Sequence, residues 1–132
     1  MDNEDFNLES LRGKYVWVKF TATWCVPCNL AIPGMREAYE RYHDKGVEIV
    51  SVYINQNEPD PVATVRESVA KDKLPWIILS EELAKKAGQP EYANFYGLRF
   101  FPAMLLVDKE GKTIMRDAQD IALRVKLTQI FE

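Results

Sequence analysis

The chain is poor in the residues that most small catalytic and metal-binding domains depend on: two cysteines, one histidine and six glycines among 132 residues. Two cysteines cannot make the multi-bridge framework of a small secreted scaffold, and a hydrophobic content of 47% makes one unnecessary. A structural zinc site needs four ligands, so Cys25, Cys28 and His43 together cannot complete one, and no metal is expected. There is no Ser/His/Asp set and no glycine-rich phosphate loop to support hydrolysis or nucleotide binding. Basic charge never clusters beyond Lys85-Lys86, and twenty acidic residues against seventeen basic ones leave a net charge of −3. Nucleic acid is therefore not an expected partner. No apolar run approaches a membrane span, and the acidic start from Met1 to Glu9 has neither the basic nor the apolar part of a signal peptide. The expectation is a soluble chain with no membrane contact of its own and no address. A periplasmic or extracytoplasmic domain trimmed from an exported protein would read the same way, with the cytoplasm as the alternative.

What is present alternates between strand and helix patterns. Tyr15 to Phe20 is β-branched and aromatic, which predicts a strand. From Cys28 onward Ile32, Met35, Tyr39 and Tyr42 share one helical face, Pro33 should kink the helix or split off its first turn, and Gly46 suits its end. Val47 to Ile54 is almost continuously apolar, as in a parallel strand buried on both faces. A helix over 61–71, a strand over 76–79 and short helices over 81–86 and 91–96 follow. Two strands, 103–107 and 113–116, are joined by a turn in which Gly111 supplies positive φ. Asp120 is the expected cap of a last helix with Leu123, Leu127 and Ile130 on its buried stripe. This pattern predicts one α/β domain over residues 1–132, a mixed central sheet with helices on both faces and a C-terminal hairpin plus helix, with residues 1–7 as a loose acidic lead.

Both cysteines lie in W-C-V-P-C, Trp24 to Cys28, just after the first strand and at the opening of a helix. That coincidence is a redox signature rather than the setting of an inert pair. Free N–H groups and the positive end of the helix dipole favour a thiolate, so the pKa of Cys25 should fall from about 8.5 toward roughly 7 or below. Cys25 is then the attacking sulfur, and Cys28, one turn further in and better covered, resolves the mixed disulfide. Val26 and Pro27 shape the loop, the proline fixing φ where a helix opens. Trp24 reads either as a surface plate beside the sulfur or as half-buried packing, with the site role preferred. Trp17 and Trp76 read as packing, and His43 as a surface residue in the last helical turn.

W-C-V-P-C after a strand ending in F-T-A-T resembles the thioredoxin superfamily. The order of elements, Pro33 in the active-site helix, the helix over about 60–71 and the run G-L-R-F-F-P-A-M-L-L-V-D-K-E-G-K resemble its TlpA/ResA-like branch over nearly the whole chain; the tryparedoxin/nucleoredoxin group is a close competitor. The resemblance implies a thioredoxin-like fold and a thiol:disulfide oxidoreductase, leaning reductant, that acts on protein thiols and disulfides, is served by an upstream redox partner and needs no cofactor; a monomer is expected. It also implies that Pro102 is cis, facing the dithiol, and that the Phe101 backbone docks an extended partner strand. The alternative is a non-catalytic binding or redox-sensing module on the same fold.

Two positions depart from the family pattern. Lys19 stands where thioredoxins carry a buried Asp, and Ala31 where ResA-like proteins carry a Glu, so neither position offers Cys28 a carboxylate for proton transfer. Lys19 has two readings: a stem along apolar surface with its ammonium in water or on a carboxylate, or a cation near the sulfurs that favours thiolate and makes the disulfide more oxidising. Val26-Pro27 points toward a reductant, and Lys19 the other way.

Overall fold

In the computed structural model, which describes residues 8–55, 58–86 and 101–132, the run Tyr15–Thr21 forms a strand, β1, at the centre of a five-stranded sheet. The other strands are β2 (Val47–Tyr53), β3 (Ile77–Ser80), β4 (Ala103–Val107) and β5 (Thr113–Arg116), in the order β3-β2-β1-β4-β5. β1 pairs in parallel with β2 and antiparallel with β4, so the sheet is mixed, as the strand order predicted. All seven residues of β2 are buried, which explains its unbroken apolar sequence. Alternation along β1 sends Val16, Val18 and Phe20 into a core with Val50, Val52 and Leu105. Trp17 faces the opposite way, into a core with Ile49, Leu106, Met35, Leu123 and Leu127.

The helix after the cysteines is broken where Pro33 requires it. Helix α1 (Val26–Leu30) and helix α2 (Ile32–Tyr42) meet at Ala31, because Pro33 has no N–H to give the Asn29 carbonyl. The helix opens at Val26 with Cys25 as its cap and Pro27 in its first turn, as the motif predicted. The expected stripe needs correction: Ile32, Met35, Ala38 and Tyr42 are buried, whereas Tyr39 sits at the edge, stacked on His43 with ring centroids 4.4 Å apart. A small residue fits where α2 approaches the sheet, and the larger ring is displaced to the rim. A single 3₁₀ turn, His43–Lys45, leads to Gly46 at φ 106°, a conformation that glycine adopts without strain.

Helix α3 (Pro61–Asp72) starts at Asp60, whose carboxylate accepts from the Ala63 N–H at 3.2 Å. Trp76 lies one residue ahead of β3 and is buried, its indole N–H donating to Ser51 Oγ at 2.8 Å. Helix α4 (Glu81–Lys86) follows; the helix expected over 91–96 lies outside the described residues. In the β4–β5 hairpin, Asp108 Oδ1 accepts from the Lys112 and Glu110 N–H groups at 2.9 Å each, bonds that hold its carboxyl below the usual range, and Gly111 takes φ 88°. The last helix, α5 (Asp120–Phe131), buries Leu123 and Leu127 and leaves Ile130 partly covered. Asp120 does not cap it: Gln119 holds the cap position without a side-chain bond, and Asp120 is the first helical residue. Its carboxylate lies instead beside Gly34 of α2, where a Cβ would come within 2.7 Å of Oδ2.

Candidate active site

At the carboxyl end of β1 the chain turns through Ala22 and Thr23 before α1 begins. Asn55, beyond β2, accepts from the Thr23 N–H at 3.2 Å and donates to its hydroxyl, while the Asn29 amide reaches the Thr23 carbonyl at 3.2 Å. These bonds fix the loop that carries the cysteines. Cys25 takes the cap position of α1, and its sulfur accepts from the Cys28 N–H at 3.3 Å. A negative charge on that sulfur would find the same donor and the positive end of the helix. Cys25 and Cys28 form a disulfide, with Cα atoms 5.3 Å apart. Both sulfur-bearing residues are buried, Cys25 at 5% exposure and Cys28 fully.

The chain brings Phe101 and Pro102 to the same place from the far end of the sequence. The Phe101-Pro102 bond is cis, and Phe101 packs on the small cluster of Ala22, Cys25 and Cys28. Trp24, 59% exposed, meets the Phe101 ring edge to face, with centroids 5.9 Å apart. Val26 and Leu30 are exposed as well, so apolar surface surrounds the buried sulfurs. A groove of about 420 Å³ runs beside them, between Pro27, Leu30 and Ala31 on one wall and Phe101, Pro102 and Asp117 to Asp120 on the other.

Lys19 is the residue that the sequence placed least well. It is 1% exposed, and its Nζ donates to the Cys28 carbonyl oxygen at 2.6 Å. The surface reading, with the ammonium in water or paired with a carboxylate, is thus overturned: β1 is central, and alternation aims Lys19 beneath α1 rather than outward. Removal from water lowers its pKa from 10.5 to about 8, against the partial support of Asp120 and Asp72. Those two carboxylates were not singled out as site residues. Asp120 was visible only as a helix-opening acid and Asp72 fell just past an expected helix over 61–71, and nothing in sequence spacing relates either to Lys19. Ala31 is buried at the α1–α2 break and offers no side-chain polar group.

Comparison with known proteins bears on this geometry. The Redoxin family model matches residues 1–122. The chain belongs to the Redoxin family. A relative named thiol-disulfide oxidoreductase ResA, from Bacillus thuringiensis, is 32% identical over 114 residues, covering 86% of this chain and 60% of the relative. The protein of the same name from Geobacillus thermodenitrificans is 32% identical over 112 residues, 85% of this chain and 59% of that one. Within the family this chain is therefore TlpA/ResA-like, and it spans about 60% of the length of these curated relatives. The thioredoxin domain of a thiol-disulfide oxidoreductase from Bacteroides vulgatus superposes with a TM-score of 0.74 at 26% identity, over 95% of this chain and 84% of that one. A thioredoxin-like superfamily protein reaches 0.79 at 17% identity over 95% and 84%, which shows the shared fold. This Redoxin-family chain has the thioredoxin-like α/β fold that its sequence predicted.

Proposed function

We propose that the chain acts, as a single monomeric domain, as a thiol:disulfide oxidoreductase on protein partners. The observation that carries this reading is the Cys25–Cys28 disulfide at the opening of α1, with Phe101 packed against it and a groove alongside that Pro102 lines. In the reduced protein the Cys25 thiolate attacks one sulfur of a partner disulfide; a new S–S bond forms and the first partner thiolate leaves. Cys28 then attacks Cys25, the mixed disulfide breaks, and the second partner thiolate departs. Two electrons pass from the dithiol to the partner, and an upstream dithiol returns them. No bound cofactor enters this exchange. Trp24 with Phe101 forms the apolar rim on which a partner rests, and Phe101-Pro102 is the edge that an extended partner strand would join. Val26 and Pro27 hold the first turn of α1.

The reading is tested by reduction of insulin with dithiothreitol as the electron source. Turnover in the parent that is lost in Cys25→Ser supports it, and Cys28→Ser should trap partners as mixed disulfides. Absence of turnover in the parent would favour a binding or redox-sensing module instead.

A further inference from the structure

Lys19 sits in the middle of the sheet, in register with Ser51 of β2 on one side and Met104 of β4 on the other. Its Nζ reaches up to the last turn of α1 and bonds the Cys28 carbonyl. That carbonyl does not need the lysine, because the Ala31 N–H already donates to it at 3.3 Å. A hydrophobic side chain of similar volume would fill the site without burying a charge, so backbone satisfaction is no reason for a lysine here. What the charge does is set by where it lies. It is held against the residue whose sulfur must become a thiolate in the second half of the exchange, in a position that water does not reach. A cation so placed favours S⁻ over SH, and the low dielectric makes it more effective than a surface charge.

We propose that Lys19 is the positioning residue of the resolving step: its ammonium, fixed on the Cys28 carbonyl, stabilises the Cys28 thiolate through its charge, without itself taking the proton. The inference deepens the reading of the chain as an oxidoreductase and rests on it. In the step itself Cys28 loses its proton to solvent, its thiolate bonds to Cys25, and the Cys25–partner S–S bond breaks; the departing partner thiolate takes a proton back from solvent, so charge and protons balance. The charged and titratable groups acting on Lys19 are Asp120 from α5 and Asp72 from α3; Tyr53, further along β2, also feels Asp72. The two carboxylates keep Lys19 protonated near neutrality despite its burial, which lowers its pKa only to about 8. By linkage a thiolate on Cys28 must in turn strengthen the hold of Lys19 on its proton.

The experiment separates attack from resolution. Reduced protein is mixed with excess dithiobis(nitrobenzoate), whose first released thiolate reports attack by Cys25 and whose second reports resolution by Cys28. In Lys19→Met the second phase should slow about tenfold at pH 7, and its half-maximal pH should rise by about one unit, while the first phase changes less than about threefold. Lys19→Arg should restore the parent profile, and Lys19→Gln serves if Lys19→Met does not fold. A folded neutral variant whose second phase keeps the parent rate and half-maximal pH would overturn the assignment. The aromatic disulfide needs no protein client, so failure of insulin reduction would count against the broader function without touching this result.

Discussion

Trp24 and Phe101 meet edge to face, ring centroids 5.9 Å apart, across the entrance to the Cys25–Cys28 disulfide. One ring comes from the loop after β1 and the other from the approach to β4, so the pair ties together two segments far apart in sequence beside the sulfurs. Such a pair is worth about 0.5–1.5 kcal/mol beyond its buried area. Trp24→Ala should therefore slow insulin reduction roughly three- to tenfold. The lost ring contact should also lower stability by about 0.5–1.5 kcal/mol, so turnover is compared well below the unfolding temperature of both proteins. Unchanged turnover would remove Trp24 from the site.

Lys19 should imprint a pH dependence on stability. Its pKa is about 8 in the folded protein against an ordinary 10.5. Between these values the unfolded chain holds a proton that the folded chain has released, so unfolding free energy from this group rises with pH across that window. Below pH 8 both states are protonated and the fold bears the full cost of burying the charge, about 3 kcal/mol on the order of the shift. Urea unfolding of the disulfide form should show Lys19→Met more stable than the parent at pH 7, with the gap narrowing by pH 10. A gap independent of pH would contradict the assigned shift.

Ser51→Ala should expose the dependence of Trp76 on a single acceptor. The indole N–H is buried and donates to Ser51 Oγ at 2.8 Å, and losing that oxygen leaves a donor unpaired in the core. A loss of about 1–3 kcal/mol is expected from chemical denaturation. Ser51→Thr, which retains a hydroxyl, should recover part of it.

Asp60→Ala removes the oxygen that accepts from the Ala63 N–H at the start of α3. The expected cost is about 1 kcal/mol, read as a lower urea midpoint, with Asp60→Asn close to the parent.

Much of this architecture was legible because its causes act over short stretches of chain. β-branched and aromatic residues marked β1, an unbroken apolar run marked β2, Pro33 marked the α1–α2 break through a missing N–H, and Gly46 marked the end of the 3₁₀ turn after α2 through a positive φ. The cysteine pair was legible for the same reason, since spacing and the end of a strand suffice to put one sulfur at a helix opening. Less local choices were misread. Ala38 rather than Tyr39 fills the inner stripe because of what α2 meets, and Asp120 lies at Gly34 rather than capping its own helix.

The sequence by itself determined that the two sulfurs pair, because two cysteines separated by two residues ahead of a helical stripe lie within disulfide reach at the opening of a helix. Tertiary structure decided how that pair is surrounded. Pairing of β1 with β4 brings Phe101 onto the cysteine cluster, and the central place of β1 turns Lys19 from a candidate surface cation into a buried one on Cys28. The physical reason is that burial is set by neighbouring strands and helices. A lysine's pKa, and with it the ease of forming a nearby thiolate, follows from that burial and not from its place in the chain.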